Sequence, residues 1–318
     1  MKLVGVTAYG FNVRNLENRN EELHNICGNG TNFLDNLETV ALATVGEYNN
    51  DVNAENVFAY DEVERETVRN AANQGIYDVL YLRIKTGEYG EESEIVDRQT
   101  GETRYRKNVN EADVIPFGCC AMLPCGEYDE GIILLQSLGR NGITSVIKTK
   151  FNEYVRMIDE NLRVAFKPIV PRTYMNRLLE EGVLKKIRLI SYGMEDDDAD
   201  RLGIDRGVRE IVQERVIKAP TGFIRNKAES ILQCVRGEIR YDQIVEVDDN
   251  FELDDLKLEF RMGRRDKTIS LRGLDQLVIN EDITDEVILE NGHPTFASLK
   301  QVMREIGEGY LRARGFID

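Results

Sequence analysis

The chain of 318 residues contains no tryptophan, only two histidines and five cysteines, and no long apolar run. A membrane-spanning helix needs about 18 consecutive apolar residues, so the sequence predicts a protein with no membrane contact. The first residues lack the apolar segment of a secretory signal, and we therefore expect a cytoplasmic protein. An odd number of cysteines in such a chain indicates reduced thiols rather than a disulfide framework.

The sequence also lacks the common motifs of catalysis. Neither Gly-x-x-x-x-Gly-Lys-Ser/Thr nor Gly-x-Gly-x-x-Gly after a strand occurs, and the Gly-x-Ser-x-Gly nucleophile elbow is absent. A Ser-His or Cys-His pair would have to use His24 or His293. His293 precedes Pro294 at a predicted helix start, which is an ordinary structural position. The sequence therefore leaves open whether the protein is an enzyme.

Basic residues are scarce relative to acidic ones, 41 against 57, which gives a formal net charge of −16. Such a charge disfavours a general nucleic-acid coat, because polyanions repel it. Residues 1–162 carry 15 bases and 27 acids, whereas residues 163–318 carry 26 bases and 30 acids. Any contact with a polyanion is therefore expected in the second half. The alternative is a solubilising acidic half beside a balanced one.

Hydrophobic residues make up 42% of the chain, enough to bury a core, and their spacing predicts an α+β fold. We expect mixed sheets with crossover helices and a strand-rich C-terminal block closed by a helix. The predicted strands are Lys2–Val13, Tyr77–Lys85, Gly131–Leu138, Val164–Val170, Val183–Tyr192, Val208–Ala219, Ile244–Val247, Leu256–Met262, Thr268–Leu271 and Leu277–Ile279. The predicted helices begin near Asn32 and Pro294 and cover Asp61–Gly75, Ile143–Leu162, Thr173–Glu181 and Phe223–Arg236.

We expect two regions in this fold. An acidic α+β region covers residues 1–162 and a more basic α+β region covers residues 163–318, because the charge balance changes there. An alternative boundary lies near residue 237, where Gly237 ends a predicted helix and a strand-rich segment begins.

Three groups of residues could carry chemistry or binding. His24, Cys27, Cys119 and Cys125, with Cys120 beside them, supply ligands that suit Zn²⁺, or else small buried hydrophobic side chains. Asp255, Lys257 and Glu259 alternate on a predicted strand, share a face and could hold Mg²⁺ in a nuclease. The structural alternative is an edge strand with charges on its solvent side.

The third group is basic and belongs to the second half. Its members are Lys185, Lys186, Arg188, Arg261, Arg264, Arg265 and Lys267. Four of them surround a predicted hairpin tip, Met262 to Asp266, where arginines could grip phosphates. The alternative is ordinary solvated charge, partly offset by the acids of the same hairpin.

The layout of residues 112–310 resembles that of uncharacterised bacterial proteins of phage defence and abortive infection. The resemblance lies in DEGIILLQSLGRNGI, its helix, VAFKPIVP, RLLEEGVLKKIRLISYG and the terminal strand-rich block. It carries over no catalytic residue and implies a cytoplasmic defence component, either a sensor or an effector.

We therefore expect a binding or sensor protein that contacts nucleic acid through its C-terminal half and forms a homo-oligomer or binds a partner protein. The alternative is a metal-dependent nuclease effector that uses Asp255, Lys257 and Glu259.

Overall fold

The structure, a computed structural model, describes most of the chain. The described residues are 3–17, 19–28, 30–51, 55–139, 141–169, 179, 183–192, 212–218, 227–235, 238–247, 251, 253–262, 265–272 and 280–317. They form two compact units, one of residues 1–168 with 279–318 and one of residues 169–278. The chain thus leaves the first unit close to the predicted boundary at residue 162 and returns to it for its last segment.

Strands predominate among the described elements. The strands are β1 (Val4–Arg14), β2 (Asn49–Asp51), β3 (Asn56–Arg69), β4 (Gly75–Glu88), β5 (Ser93–Val96), β6 (Thr103–Lys107), β7 (Ile115–Pro124), β8 (Gly131–Leu138), β9 (Asn141–Gly142), β10 (Arg163–Pro168), β11 (Val183–Tyr192), β12 (Val212–Lys218), β13 (Asp255–Met262), β14 (Arg265–Ser270), β15 (Asn280–Asp282), β16 (Leu289–Glu290) and β17 (His293–Pro294). The helices are α1 (Phe33–Ala43), α2 (Thr144–Ile158), α3 (Ala228–Val235) and α4 (Phe296–Ala313). The α+β class expected from the sequence is confirmed.

The first unit is built on one antiparallel sheet in the order β10-β1-β8-β7-β4-β3-β2, with β15 also paired to β1 and β9 to β8. Its inner strands are apolar on both sides, and β8 is buried over nearly its whole length. A strand of this kind needs cover on both faces of the sheet. The helices of the unit supply that cover.

Strand β3 shows that α1 and α4 lie on opposite faces of this sheet. Arg65 contacts Asp35 of α1, whereas its neighbours Glu64 and Glu66 contact Lys300 and Arg304 of α4. Consecutive residues of a strand point to opposite faces, so the two helices sandwich the sheet.

Aromatic side chains form the centre of the α1 side. The Phe33 ring of α1 lies 5.1 Å from Phe11 of β1 and 5.7 Å from Phe151 of α2, measured between centroids. Asn32 begins α1 by accepting hydrogen bonds from the backbone of Leu34 and Asp35, as an N-cap does. The predicted helix start near Asn32 is confirmed by this cap. The start predicted at Ile143 is confirmed by α2, which begins at the next residue, Thr144.

The second unit contains a four-stranded antiparallel sheet in the order β12-β11-β13-β14. One face is apolar and packs against Ile231 and Cys234 of α3, and its buried residues include Ile187, Leu189, Leu256, Leu258, Phe260 and Ile269. The other face carries charged side chains. The strands predicted at Val183–Tyr192, Leu256–Met262 and Thr268–Leu271 are confirmed, and so is the hairpin between the last two.

Two sequence predictions were wrong. Asp61–Gly75 was expected as a helix, but Asn56–Arg69 is strand β3. Glu64 and Glu66 contact Lys300 and Arg304 of α4, so these polar residues have partners within the fold. Ile244–Val247 was expected as a strand. Ile244 is instead buried directly after a 3₁₀ turn at Tyr241–Gln243, which inserts its side chain into the core without strand pairing.

Three further predicted features lie outside the described residues in whole or in large part. They are the helix Thr173–Glu181, the strand Leu277–Ile279 and Arg264 of the hairpin tip.

Candidate functional site

His24, the histidine of the predicted zinc site, is engaged by protein atoms at both ring nitrogens. Its Nε2 lies 2.9 Å from the Pro124 carbonyl oxygen, and its Nδ1 lies 2.8 Å from the side-chain nitrogen of Asn32. A carbonyl group only accepts, so these partners assign the proton to Nε2 and make Nδ1 the acceptor of the Asn32 amide. Neither nitrogen keeps a lone pair for a metal in this arrangement.

The cysteines of the predicted zinc site have different environments. Cys119 and Cys120 are fully buried in β7, and burial raises the pKa of both thiols. Cys27 is exposed in a turn, and Cys125 is half-buried just after β7. The described part of the chain contains no group of three or more His, Cys, Asp or Glu side chains that could hold a metal ion. The Zn²⁺ site stays a prediction.

The three residues of the predicted nuclease site share one face of β13, but their groups are already engaged. Asp255 accepts hydrogen bonds from the Ser270 hydroxyl at 2.8 and 2.9 Å and from the backbone of Arg272 at 3.2 Å. Glu259 accepts from Lys186 at 2.6 and 2.8 Å and from Arg188 at 3.3 Å. The Lys257 Nζ lies 3.9 Å from Asp255 Oδ2.

The spacing of the two carboxylates also bears on metal binding. Asp255 and Glu259 are four residues apart on a strand, which separates their Cα atoms by about 13 Å. Their side chains are only 4% and 10% exposed. Metal–oxygen distances are about 2 Å for Mg²⁺, so these two carboxylates do not converge on one ion. Asp255, Lys257 and Glu259 therefore form hydrogen bonds and ion pairs rather than an open metal site.

The charged face of the second sheet brings basic residues of three neighbouring strands together. On β11 and β13, Lys186 lies opposite Glu259 and Arg188 lies opposite Lys257. On β11 and β12, Lys186 lies opposite Lys218 and Arg188 lies opposite Val216. Directly opposed residues share a face, and so do alternate residues of one strand. We call this surface the charged face, and its members are Lys186, Arg188, Glu214, Lys218, Asp255, Lys257, Glu259 and Arg261.

The remaining predicted basic residues are placed by their strands. Lys185 lies at an irregularity of β11, between the register positions of Leu184 and Lys186. Arg265 and Lys267 belong to β14, where they lie opposite Met262 and Phe260 of β13.

Sequence reasoning missed Lys218 and Glu214 as members of the charged face. The alternation Glu214-x-Val216-x-Lys218 within a predicted strand is the signal that places them on one side.

Buried carboxylates organise the charged face. Glu259 holds both Lys186 and Arg188, and these two bases lower the pKa of the Glu259 carboxyl below its usual range, with the Lys186 hydrogen bond as the largest cause. Arg188 also contacts Glu214 at 3.2 Å. The charged face is therefore a fixed array of alternating charge rather than a set of independent mobile cations.

Two clefts with charged lining residues lie among the described residues of the first unit. The cleft of about 380 Å³ lies between β3 and α4, where Glu64 pairs with Lys300 and Glu66 with Arg304. The cleft of about 640 Å³ lies near the start of α2, and its charged lining residues are Glu55, Glu88, Glu91, Lys107 and Asp113. Neither His nor Cys is among the lining residues of either cleft, so the described walls offer no pair of a thiol or hydroxyl with an imidazole base.

Charge differs sharply between the two units. The first unit carries 35 acids and 21 bases, whereas the second carries 22 acids and 20 bases. The acidic C-terminal segment 279–318 belongs to the first unit, so the charge imbalance follows the fold more closely than it follows the two halves of the sequence.

Comparison with protein-family models gave no match, and comparison with curated proteins gave none either. None of the helices in the described ranges is both long enough and apolar enough to span a bilayer.

Proposed function

We propose that this chain is a cytoplasmic binding protein that contacts nucleic acid, or another polyanion of similar charge density, through the charged face of its second unit. The observation that carries the proposal is the placement of five lysine and arginine side chains on one side of three adjacent strands. They are Lys186, Arg188, Lys218, Lys257 and Arg261.

The spacing of these cations supports a contact with several phosphates. Neighbouring strands lie about 4.8 Å apart, and alternate residues of one strand lie about 6.6 Å apart. Each base thus has another base within one or two strand spacings. Glu259 fixes Lys186 and Arg188 in place, which reduces the entropy that a phosphate contact would otherwise cost.

The net charges of the two units favour the second unit as the one that binds a polyanion. The second unit contains 22 acidic and 20 basic residues, and this excess of two acids repels a polyanion only weakly at long range. The first unit, with 35 acids and 21 bases, would repel the same ligand. A polyanion that approaches the protein is therefore directed to the second unit.

The proposal is tested with the double variant Lys257→Glu/Arg261→Glu in a fluorescence anisotropy titration of short single-stranded and duplex DNA and RNA. We expect at least about a tenfold loss of affinity and a shallower dependence of log K on log salt, by about one per lost phosphate contact. The matched control Arg98→Glu/Lys167→Glu makes the same change of net charge at exposed positions of the first unit. It should leave the affinity nearly unchanged. Binding that is insensitive to salt, or an equal loss in the control, would overturn the proposal.

A role in phage defence rests on the layout resemblance of residues 112–310 alone. Under this proposal, bacteria that express the chain with its neighbouring genes should show a reduced plating efficiency of phage, and Lys257→Glu/Arg261→Glu should restore it. Equal plating with and without the chain would remove the defence role and leave the binding proposal standing.

A further inference from the structure

Among the described residues, strand β12 is the last strand on one side of the second sheet. Its inner side pairs with β11 over the whole range from Val212 to Lys218, and no strand among the described residues pairs with its outer side. An exposed edge presents a row of backbone donors and acceptors that readily pairs with another strand. Natural edge strands are usually protected by charge, by proline or by a bulge. The described range of β12 contains no proline and pairs with β11 without a register shift, but Glu214, Arg215 and Lys218 place charge on it, which disfavours partners without complementary charge.

Exposed apolar side chains accompany this edge. Val212, Val216 and Ile217 are 57%, 42% and 45% exposed. Val212 and Val216 lie on the charged face and Ile217 lies on the opposite face, so exposed aliphatic side chains flank the edge on both faces of the sheet. Covering them with a second strand would remove apolar area from water while the backbone groups of the edge gain hydrogen bonds.

The sequence of β12 is complementary to itself when it is read in the opposite direction. In an antiparallel pair centred on Val216, Glu214 of each copy lies opposite Lys218 of the other, and Val216 lies opposite Val216. Opposite charges and aliphatic pairs placed directly across two strands stabilise their pairing. On the other side of the sheet, Arg215 lies opposite Ile217.

Neighbouring registers are less favourable. A pair centred on Arg215 places Glu214 opposite Val216 and Lys218 opposite Val212, so neither charge meets an opposite one, and a pair centred on Glu214 places two glutamates opposite each other. Like charges directly across a strand pair are destabilising. A pair centred on Ile217 has no such clash but also loses both Glu214–Lys218 contacts. The register centred on Val216 is the one that charge selects.

We propose that the chain forms a two-fold symmetric homodimer in which β12 pairs antiparallel with β12 of a second copy, centred on Val216. The two four-stranded sheets then become one continuous sheet of eight strands, and the two charged faces lie on the same side because the symmetry axis is perpendicular to the sheet. The near balance of 22 acids and 20 bases in the second unit avoids net repulsion at this contact. The dimer does not depend on the proposed function.

A charge exchange across the interface tests the register. Lys218→Glu leaves glutamate facing glutamate twice, and Glu214→Lys leaves lysine facing lysine twice. We expect each single variant to raise the dimer dissociation constant at least about tenfold in sedimentation equilibrium. The double variant Glu214→Lys/Lys218→Glu restores opposite pairs and should return to within about threefold of the original. Lys218→Glu is the cleaner single variant, because Glu214 also contacts Arg188 within its own chain.

Cross-linking gives an independent readout. In a Cys27→Ser background, which removes the exposed native thiol, Val216→Cys should form an intermolecular disulfide under mild oxidation. Opposed residues of an antiparallel pair have Cα atoms about 4.5–5.5 Å apart, which suits a disulfide. Val212→Cys is the matched control, since the proposed register separates its two copies by about 26 Å.

The results decide the proposal in either direction. A dimer that responds to the single exchanges, recovers in the double variant and cross-links at position 216 but not at 212 supports it. A monomer at all concentrations overturns it, as does a dimer that tolerates both single exchanges or cross-links equally well at position 212.

Discussion

Glu259 holds two bases of the charged face in place. Its carboxylate accepts hydrogen bonds from Lys186 and Arg188, and its side chain is only 10% exposed. Removing one member of a buried charge group leaves the others uncompensated, which costs more than the group contributes as a whole. The two bases would then repel each other across a shared site.

We predict that Glu259→Ala lowers the free energy of opening of the second sheet by about 3 kcal/mol near neutral pH. Hydrogen exchange of the β11 and β13 amides measures this quantity locally, without assuming that the two units unfold together. Glu259→Gln keeps the shape and one acceptor oxygen, so its loss should be smaller. Equal exchange rates in the wild type and Glu259→Ala would show that the carboxylate does not hold the sheet.

The same carboxylate gives a defined pH dependence. Its pKa is lowered from an ordinary value of 4.5, chiefly by the hydrogen bond from Lys186. The unfolded chain binds a proton more readily than the folded one, so this stabilisation is fully present above pH 4.5 and is lost as the pH falls through the lowered pKa. We predict that the difference in opening free energy between the wild type and Glu259→Gln is constant near neutral pH and decreases below pH 4.5. A difference that grew in acid would contradict this assignment.

At the scale of elements, two glycines of α4 differ in what surrounds them. A Cβ at Gly307 would overlap the sulfur of Met122 and lie 3.0 Å from Leu134 Cδ1, and both of those residues are fully buried. A Cβ at Gly309 would have no atom within 4 Å. Gly307 therefore lets α4 approach the sheet closely, whereas Gly309 has no packing role among the described residues.

We predict opposite signs for the same substitution at these two positions. Gly307→Ala should lower the unfolding free energy of the first unit by about 1–3 kcal/mol, because a tightly packed core must shift to accept the methyl group. Gly309→Ala should raise it by up to about 1 kcal/mol, because alanine favours the helix at an open site. Urea denaturation of the two variants beside the wild type checks both values. Changes of equal sign would mean that α4 does not pack as described.

The elements that could be predicted from the sequence are those in which the pattern of apolar and charged residues indicates which faces are buried. β11 combines apolar and charged residues, and β8 is apolar over most of its length, so both were found with their bounds. β3 could not be recognised in the same way. Glu64 and Glu66 face Lys300 and Arg304 of α4, whereas Arg65 faces Asp35 of α1. The polar residues on both sides of the strand are explained only by the positions of these two helices.

The sequence predicted which basic residues belong to the candidate site but not which acidic residue pairs with them. Lys186 and Arg188 were recognised as basic residues of a strand, yet Glu259, which holds them, lies 73 and 71 residues away in sequence. The order β12-β11-β13-β14 determines this contact, and strand order across long connections is not encoded in local periodicity. The same limit made Asp255 and Glu259 look available for a metal ion.

At the scale of the whole molecule, the second unit is an insertion into a broken edge strand of the first. β10 runs along β1 until Pro168 lies opposite Tyr9, and β15 resumes along the same edge with Asn280 opposite Thr7. The two pieces have the same direction, and one position of β1, Ala8, separates them. The chain between them forms the second unit.

This register predicts that the first unit folds without the second. Removing residues 170–279 joins Ile169 directly to Asn280, so that Ile169 falls opposite Ala8 and β10 and β15 become one continuous strand. The joined chain needs no added linker, since consecutive residues of a strand match consecutive residues of its partner. We expect a folded protein whose β1 amides are protected from hydrogen exchange as they are in the full chain.

The shortened protein also tests both proposals for the second unit, polyanion binding and pairing through β12. It keeps 35 acids against 21 bases and loses both β12 and the charged face, so it should be monomeric and should not bind polyanions. Light scattering and anisotropy measure these two losses. If the shortened chain folded but still formed dimers, the contact between copies would lie in the first unit. If its β1 amides exchanged freely, the edge strand would need residues of the second unit to remain paired, and the description of that unit as an insertion would be wrong.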